Sequence, residues 1–418
     1  MSTDFFEVNG LKVANIKSDS NIAFFGAVAL AGSNYETPEI AGISHYCEHM
    51  FFKGTKNCNW QDITEEFAKL GASNNAYTSN SEVLYHATVP KDNVFNVIEL
   101  IMDLLFNSVF PEEEIEKERN VIIEEKKMYD DNPKSSFYES MFEEFCSWDK
   151  GHPIIGTFDT IKSIQKSDMI KYLEDKINLS NLIFICSGDV DSKDLASCIS
   201  DNLPTSHPFL SKGNPNKIGD NLWSDSIHSN NENKIQLQIE RKNITQSTVA
   251  MPICNVSKLD PNSCAHTVLF KALGGGMFSK LFARIREELG LCYSVGISNV
   301  TLSYPNYSVP LLYGYTDDTN IDLFIDESEK VLSDVAKNGI DENLFECAKT
   351  SYLSAFLRGT ETSAGKAMNM VNEYMDGQYC NIDDVANKIR KVDLKTVNGL
   401  SNELLGQYHP WAVMIPKK

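Results

Sequence analysis

Residues 40–54 read Ile-Ala-Gly-Ile-Ser-His-Tyr-Cys-Glu-His-Met-Phe-Phe-Lys-Gly. Ile40 to Phe52 has helical character despite Gly42, and Lys53-Gly54 supplies a stop signal. Positions i, i+3 and i+4 lie on one face of a helix, so His45, Glu48 and His49 converge. Two imidazoles one turn apart can share a zinc ion, and the carboxylate between them can reach a water at the metal. The same residues also suit a plain amphipathic helix carrying two incidental histidines, and this stretch alone leaves both readings open. Cys47 falls off the His45/His49 face and reads as packing.

Downstream, a metal reading needs a third ligand, because catalytic zinc takes three protein ligands and keeps one position for water. The run Pro111-Glu-Glu-Glu-Ile-Glu-Lys-Glu-Arg-Asn-Val-Ile-Ile-Glu-Glu opens a helix well, with proline first and acids in the first turn. Ile115, Glu118, Ile122 and Glu125 follow a 3-4-3 spacing and line one face. A carboxylate on an apolar stripe is costly unless it is paired or bound to metal. Glu118 and Glu125 therefore both qualify, unless they sit at the solvated margin of a charged helix.

The 418-residue length suits two domains. The stretch from Pro204 to Asn233 is rich in Ser, Asn, Gly and Pro and places a linker at 206–233. It separates 1–205, which holds the metal motif, from 234–418, which does not. Both halves close on a helical pattern followed by a buried strand: Ile164-Gln-Lys-Ser-Asp leads to Asn181-Leu-Ile-Phe-Ile-Cys-Ser-Gly, and Ile389-Arg-Lys-Val-Asp leads to Trp411-Ala-Val-Met-Ile-Pro. Extended runs at Ile22–Ala31 and Ile235–Pro252 precede the helices, and strand-like stretches follow at Val83–Val89 and Tyr307–Tyr315. The expected class is α+β: two similar domains, each a mostly antiparallel sheet covered by helices.

A formal net charge of −20 argues against nucleic acid as a partner, since phosphate binding needs a basic surface. The apolar runs are too short or too interrupted to span a membrane. The N-terminus shows no signal or transit pattern, which leads us to expect a cytoplasmic protein. Ten cysteines, spread singly with no CxxC pair, fit reduced thiols in such a compartment.

From Gly32 to Asp131 the chain resembles the pitrilysin/insulinase family of metallopeptidases, closest to the mitochondrial processing peptidase beta type and to small bacterial two-domain members. Three stretches carry this: Gly32 through Thr55, Asn75-Ala-Tyr-Thr-Ser, and Glu118-Arg-Asn-Val-Ile-Ile-Glu-Glu. The resemblance selects Glu125 as the distal metal ligand beside His45 and His49, and maps Glu118 to an acid that orients a ligand histidine. Asn75 and Ala76 resemble a substrate-contacting segment. In the second half, Leu273 through Ser294 looks like the family's C-terminal signature, with its substrate-binding arginine and tyrosine at Arg286 and Tyr293. The glycines at 274–276 form no phosphate loop, because neither GK[ST] nor GxGxxG follows. His266 stands alone and reads as structural; His86 and His152 are outside the family pattern, and His152-Pro153 reads as a turn.

The resemblance implies two similar α+β domains per chain and one zinc per chain. It implies hydrolysis of peptides or unfolded protein segments in a closed chamber built from two chains. We expect a homodimer, with a heterodimer with a paralogue as the alternative. Glu48 would act as the base, with Arg286 and Tyr293 assisting. Two other roles compete: a maturation protease dedicated to one partner, and a non-catalytic scaffold subunit.

Overall fold

The structure, a computed structural model, describes residues 2–214, 234–254, 256–257, 259–304, 307–375, 381–405 and 410–417. Most of the expected linker, 215–233, lies outside the described residues. Its opening part does not hang free, since Phe209 is buried in the first core.

The chain divides into two compact units, each discontinuous in sequence. The first takes in Met1–Tyr129, His152–Asp220 and Gly359–Asp383, and the second takes in Asp130–Gly151, Asn221–Arg358 and Asp384–Lys418.

The sheet of the first unit is built from β1 (Thr3–Val8), β2 (Leu11–Lys17), β3 (Ile22–Ala29), β4 (Ser73–Thr78), β5 (Val83–Pro90) and β6 (Leu182–Gly188). Their order is β1-β2-β6-β3-β5-β4, with β4 at an edge. Only β2 and β6 run parallel; the other neighbours are antiparallel. β3 shows why its sequence is an unbroken apolar run. Ala23, Phe25, Ala27 and Ala29 face a core shared with the helices Ile43–Phe51, Val94–Asn107 and Lys166–Lys176. Phe24 and Val28 face the other way, against Ala367, Met370, Val371 and Tyr374 of the helix Ser363–Met375. Side chains alternate along a strand, so burial on both faces demands apolar residues at every position.

In the second unit the strands are β7 (Ile235–Arg241), β8 (Ser247–Pro252), β9 (Val256–Ser257), β10 (Cys292–Tyr304), β11 (Tyr307–Thr316) and β12 (Trp411–Pro416). The order is β10-β11-β8-β12-β7, with β9 beside β11 and one parallel pair, β12 with β7. Position for position, β7-β12-β8-β11-β10 repeats β2-β6-β3-β5-β4, which makes the two halves divergent copies. The extended run expected from Ile235 to Pro252 is two strands, broken at 242–246 and separated in the sheet by β12. Here too both faces are covered. Val249, Trp411 and Val413 join the main core, while Ala250, Ala412 and Met414 meet Phe137, Met141 and Phe145 of the helix Pro133–Phe145. Each sheet thus has its second face covered by a helix from the other half of the sequence.

No described helix is long and apolar enough to cross a membrane.

Candidate metal centre

The motif helix runs from Ile43 to Phe51 and begins at Gly42, which sits in the left-handed region at φ 92°. An added Cβ there would meet the Ile155 carbonyl oxygen at 2.5 Å, so glycine is required for the conformation and for the space. Ile43, Tyr46, Cys47 and Met50 turn into the core, which leaves His45, Glu48 and His49 on the opposite face. Cys47 is packing, as its position on the helix suggested.

The second contributor is the helix Glu112–Asp131. Ile115 and Ile122 are buried in the same core and hold its stripe inward. That brings Glu125 to the two histidines. Its Oε2 lies 3.7 Å from His45 Nε2 and 3.5 Å from His49 Nε2. The imidazole rings are 4.7 Å apart. One ligand atom from each of the three side chains falls within 4.8 Å of the others, the only such group among the described residues. Glu124 points elsewhere and pairs with Lys127 at 2.7 Å.

Glu118 also reaches the cluster, but through the far side of His49. Its Oε2 is 2.9 Å from His49 Nδ1 and its Oε1 is 2.5 Å from Lys53 Nζ. A carboxylate only accepts, so Nδ1 carries the proton and the Nε2 lone pair is left for a metal. His45 Nδ1 is buried with no hydrogen-bond partner among the described residues.

The charges around the cluster suit a cation. Burial pulls the His49 pKa down, yet hydrogen bonds to Glu118 and Glu125 outweigh it and push it up to about 9. His45 goes the other way, to about 4, through burial and the neighbouring His49 charge, with Glu125 opposing. The second proton that this favours on His49 sits at Nε2, facing Glu125, in the position a metal would take. Two imidazole nitrogens, one carboxylate oxygen and a carboxylate orienting one imidazole form a donor set that fits zinc.

Glu48 is no member of this group. Its Oε2 accepts from Thr78 Oγ1 on β4 at 2.7 Å. Burial raises its pKa, and the Thr78 hydroxyl and the His49 charge partly offset that.

Asn75 and Ala76 lie on the edge strand β4, opposite His86 and Tyr85. His86 is stacked on Phe24 and takes no part in the metal group. His152 is buried with its Nε2 3.1 Å from Glu36, and His266 has Asp260 at 3.7 Å. Arg286 and Tyr293 belong to the second unit. There Arg286 lies over the ring of Tyr293 at 4.9 Å and over Phe282 at 4.6 Å, inside a π-helical turn at Phe282–Glu288.

Three supporting residues escape a reading of the sequence: Thr78 at Glu48, Lys53 at Glu118, and Tyr129, which hydrogen-bonds Glu125. Tyr129 alone had a local signal, lying one turn beyond Glu125. Thr78 and Lys53 act over distances in sequence that no spacing rule covers.

Residues 12–156 match the family described as Insulinase (Peptidase family M16), and residues 163–352 match the Peptidase M16 inactive domain. The uncharacterized zinc protease YmxG of Bacillus subtilis is 28% identical over 387 residues, 92% of this chain and 91% of the relative. A protease from Helicobacter pylori shares the fold with a TM-score of 0.85 at 20% identity, over 99% of both chains. The periplasmic protease PqqL from Escherichia coli, at 19% identity and a TM-score of 0.79, is matched over 99% of this chain but 47% of its own.

Proposed function

The chain belongs to the insulinase family, peptidase family M16, and on that footing we propose that it is a zinc-dependent endopeptidase. The observation that carries this is the convergence of His45, His49 and Glu125 around one point, with Glu48 on the same helix face. His45, His49 and Glu125 would hold a zinc ion, which would supply a Lewis acid to the reaction.

The remaining chemistry belongs to the chain. Glu48 takes a proton from the attacking water and passes it to the leaving amine. Burial raises its proton affinity, which suits a group that must hold the proton between the two steps. Glu118 fixes the His49 tautomer, and Lys53 keeps Glu118 ionised and in place. β4 is the last strand of its sheet, so an extended peptide can add alongside it by backbone hydrogen bonds at Asn75 and Ala76. Arg286, its guanidinium set by two aromatic faces, and Tyr293 bind substrate and steady the developing oxyanion.

Pairing of two chains in a closed chamber is part of the same proposal. This chain covers under half of PqqL, the relation expected if two copies here do what one longer chain does there. The full donor set favours a protease over a scaffold subunit, which has no use for it.

Chelation should abolish hydrolysis of an unstructured peptide, and zinc added back should restore it. Hydrolysis that survives complete metal removal would contradict the proposal.

A further inference from the structure

The motif helix begins without a cap of its own: Gly42 has no side chain to offer, and no side-chain cap bond is made by the residue at that position. The first N–H groups of a helix still need acceptors when they are buried. The acceptor comes from six residues upstream. Glu36 Oε2 accepts from Gly42 N at 2.7 Å, and Glu36 Oε1 accepts from Ser44 N at 2.8 Å. His152 Nε2 lies 3.1 Å from the same Oε2. The Glu36 side chain is fully buried and that of His152 nearly so. A buried carboxylate at this depth is costly, and a structure keeps one only where it is paired or hydrogen-bonded.

The rest of the helix entrance is fixed around it. Ser44 Oγ meets Tyr172 OH at 2.7 Å, and Tyr172 OH donates to the carbonyls of Ala31 and Gly32. Thr160 Oγ1 donates to Ala41 O at 2.6 Å. These hold the turn through side-chain hydroxyls, whereas Glu36 takes the backbone N–H groups of both Gly42 and Ser44 with one carboxylate.

We infer that Glu36 is a positioning residue for the metal centre: its carboxylate clamps the first turn of the motif helix and so sets the rotation at which His45 and His49 meet Glu125. The inference rests on the zinc-site reading above. The clamp requires a group that only accepts. In Glu36→Gln one oxygen becomes an NH2 donor, which must face Gly42 N–H or Ser44 N–H, and the turn has to shift.

The test is zinc affinity of purified full-length chain by chelator competition, with the visible spectrum of the cobalt-substituted protein and thermal unfolding alongside. Glu36→Gln should stay folded, bind zinc on the order of 10–100-fold more weakly, and show an altered cobalt spectrum. At saturating zinc, kcat should fall with KM little changed. Glu36→Asp takes its place, with the same readouts, if the Gln variant does not fold. Ser44→Ala keeps the N–H to Glu36 and drops only the hydroxyl, and it should retain wild-type affinity. Equal affinity and an unchanged cobalt spectrum in the Glu36 variant overturn the clamp alone. So does an equal loss in Ser44→Ala, which would point to general loosening of the helix entrance. A wild-type chain that takes up no zinc overturns the clamp and the zinc-site reading together.

Discussion

Glu48 is pulled two ways. Burial favours its protonated form, and the hydroxyl of Thr78 favours the carboxylate. As the proposed base it must be ionised before water attacks, so on this proposal its titration sets the acid limb of the pH profile. Thr78→Val removes the donor that stabilises the ionised form. The Glu48 pKa then rises, and the acid limb of kcat/KM should move to higher pH while the alkaline limb stays. An acid limb that stays in place or moves down would show that Thr78 does not tune this carboxylate. That His45, Glu48 and His49 share one face was legible from their spacing, because of the helix repeat; that the face serves a metal was not legible from that stretch alone. Thr78, Lys53 and Glu36 were not. Each reaches the site through a tertiary hydrogen bond or ion pair, and nothing in local sequence marks the partner.

The helix Glu112–Asp131 decides between adjacent glutamates. Its isoleucines at 115 and 122 are buried, and the 3-4-3 spacing carries Glu118 and Glu125 round to the motif helix while Glu124 stays with Lys127 in solvent. Glu125→Ala should therefore lose zinc, whereas Glu124→Ala should keep it, both read by metal analysis after dialysis. The reverse result would mean that the helix presents another face. Periodicity found the stripe but could not say which glutamate binds and which orients; the family resemblance drew that distinction, and the geometry has Glu118 on Nδ1 of His49 and Glu125 on the Nε2 side. The strand readings fared differently. β3, β5, β6, β11 and β12 lie where buried apolar runs pointed. The run from Ile235 to Pro252 hid a break, because β7 and β8 are both extended and differ only in which neighbour they pair with.

At the scale of the whole chain, the repeat was legible from the matching helix-then-strand endings, which are β6 and β12 with the helices that precede them. The exchange of the helices Pro133–Phe145 and Ser363–Met375 was not. The boundaries at 205 and 234 came from a shift in composition, and composition carries no record of which sheet a helix covers. The proposed zinc residues lie in the first unit and Arg286 and Tyr293 in the second, and the proposed chamber joins two chains. A closed two-fold pairing gives two identical sites. If each site takes its arginine and tyrosine from the partner, inactive Glu48→Gln chains mixed with inactive Arg286→Ala/Tyr293→Ala chains should regain activity as mixed dimers form. Verified mixed dimers that stay inactive would place those residues within one chain's own site or outside catalysis.

The central claim is that Glu48 is the base and not a ligand, beside a zinc held by His45, His49 and Glu125. It is tested most directly by measuring zinc content and peptide hydrolysis on the same preparations of wild type and Glu48→Gln. The account predicts one zinc per chain in both, with hydrolysis lower in the variant by roughly 10²–10⁴-fold. Near-normal hydrolysis by zinc-loaded Glu48→Gln, or a wild type without zinc, would contradict it.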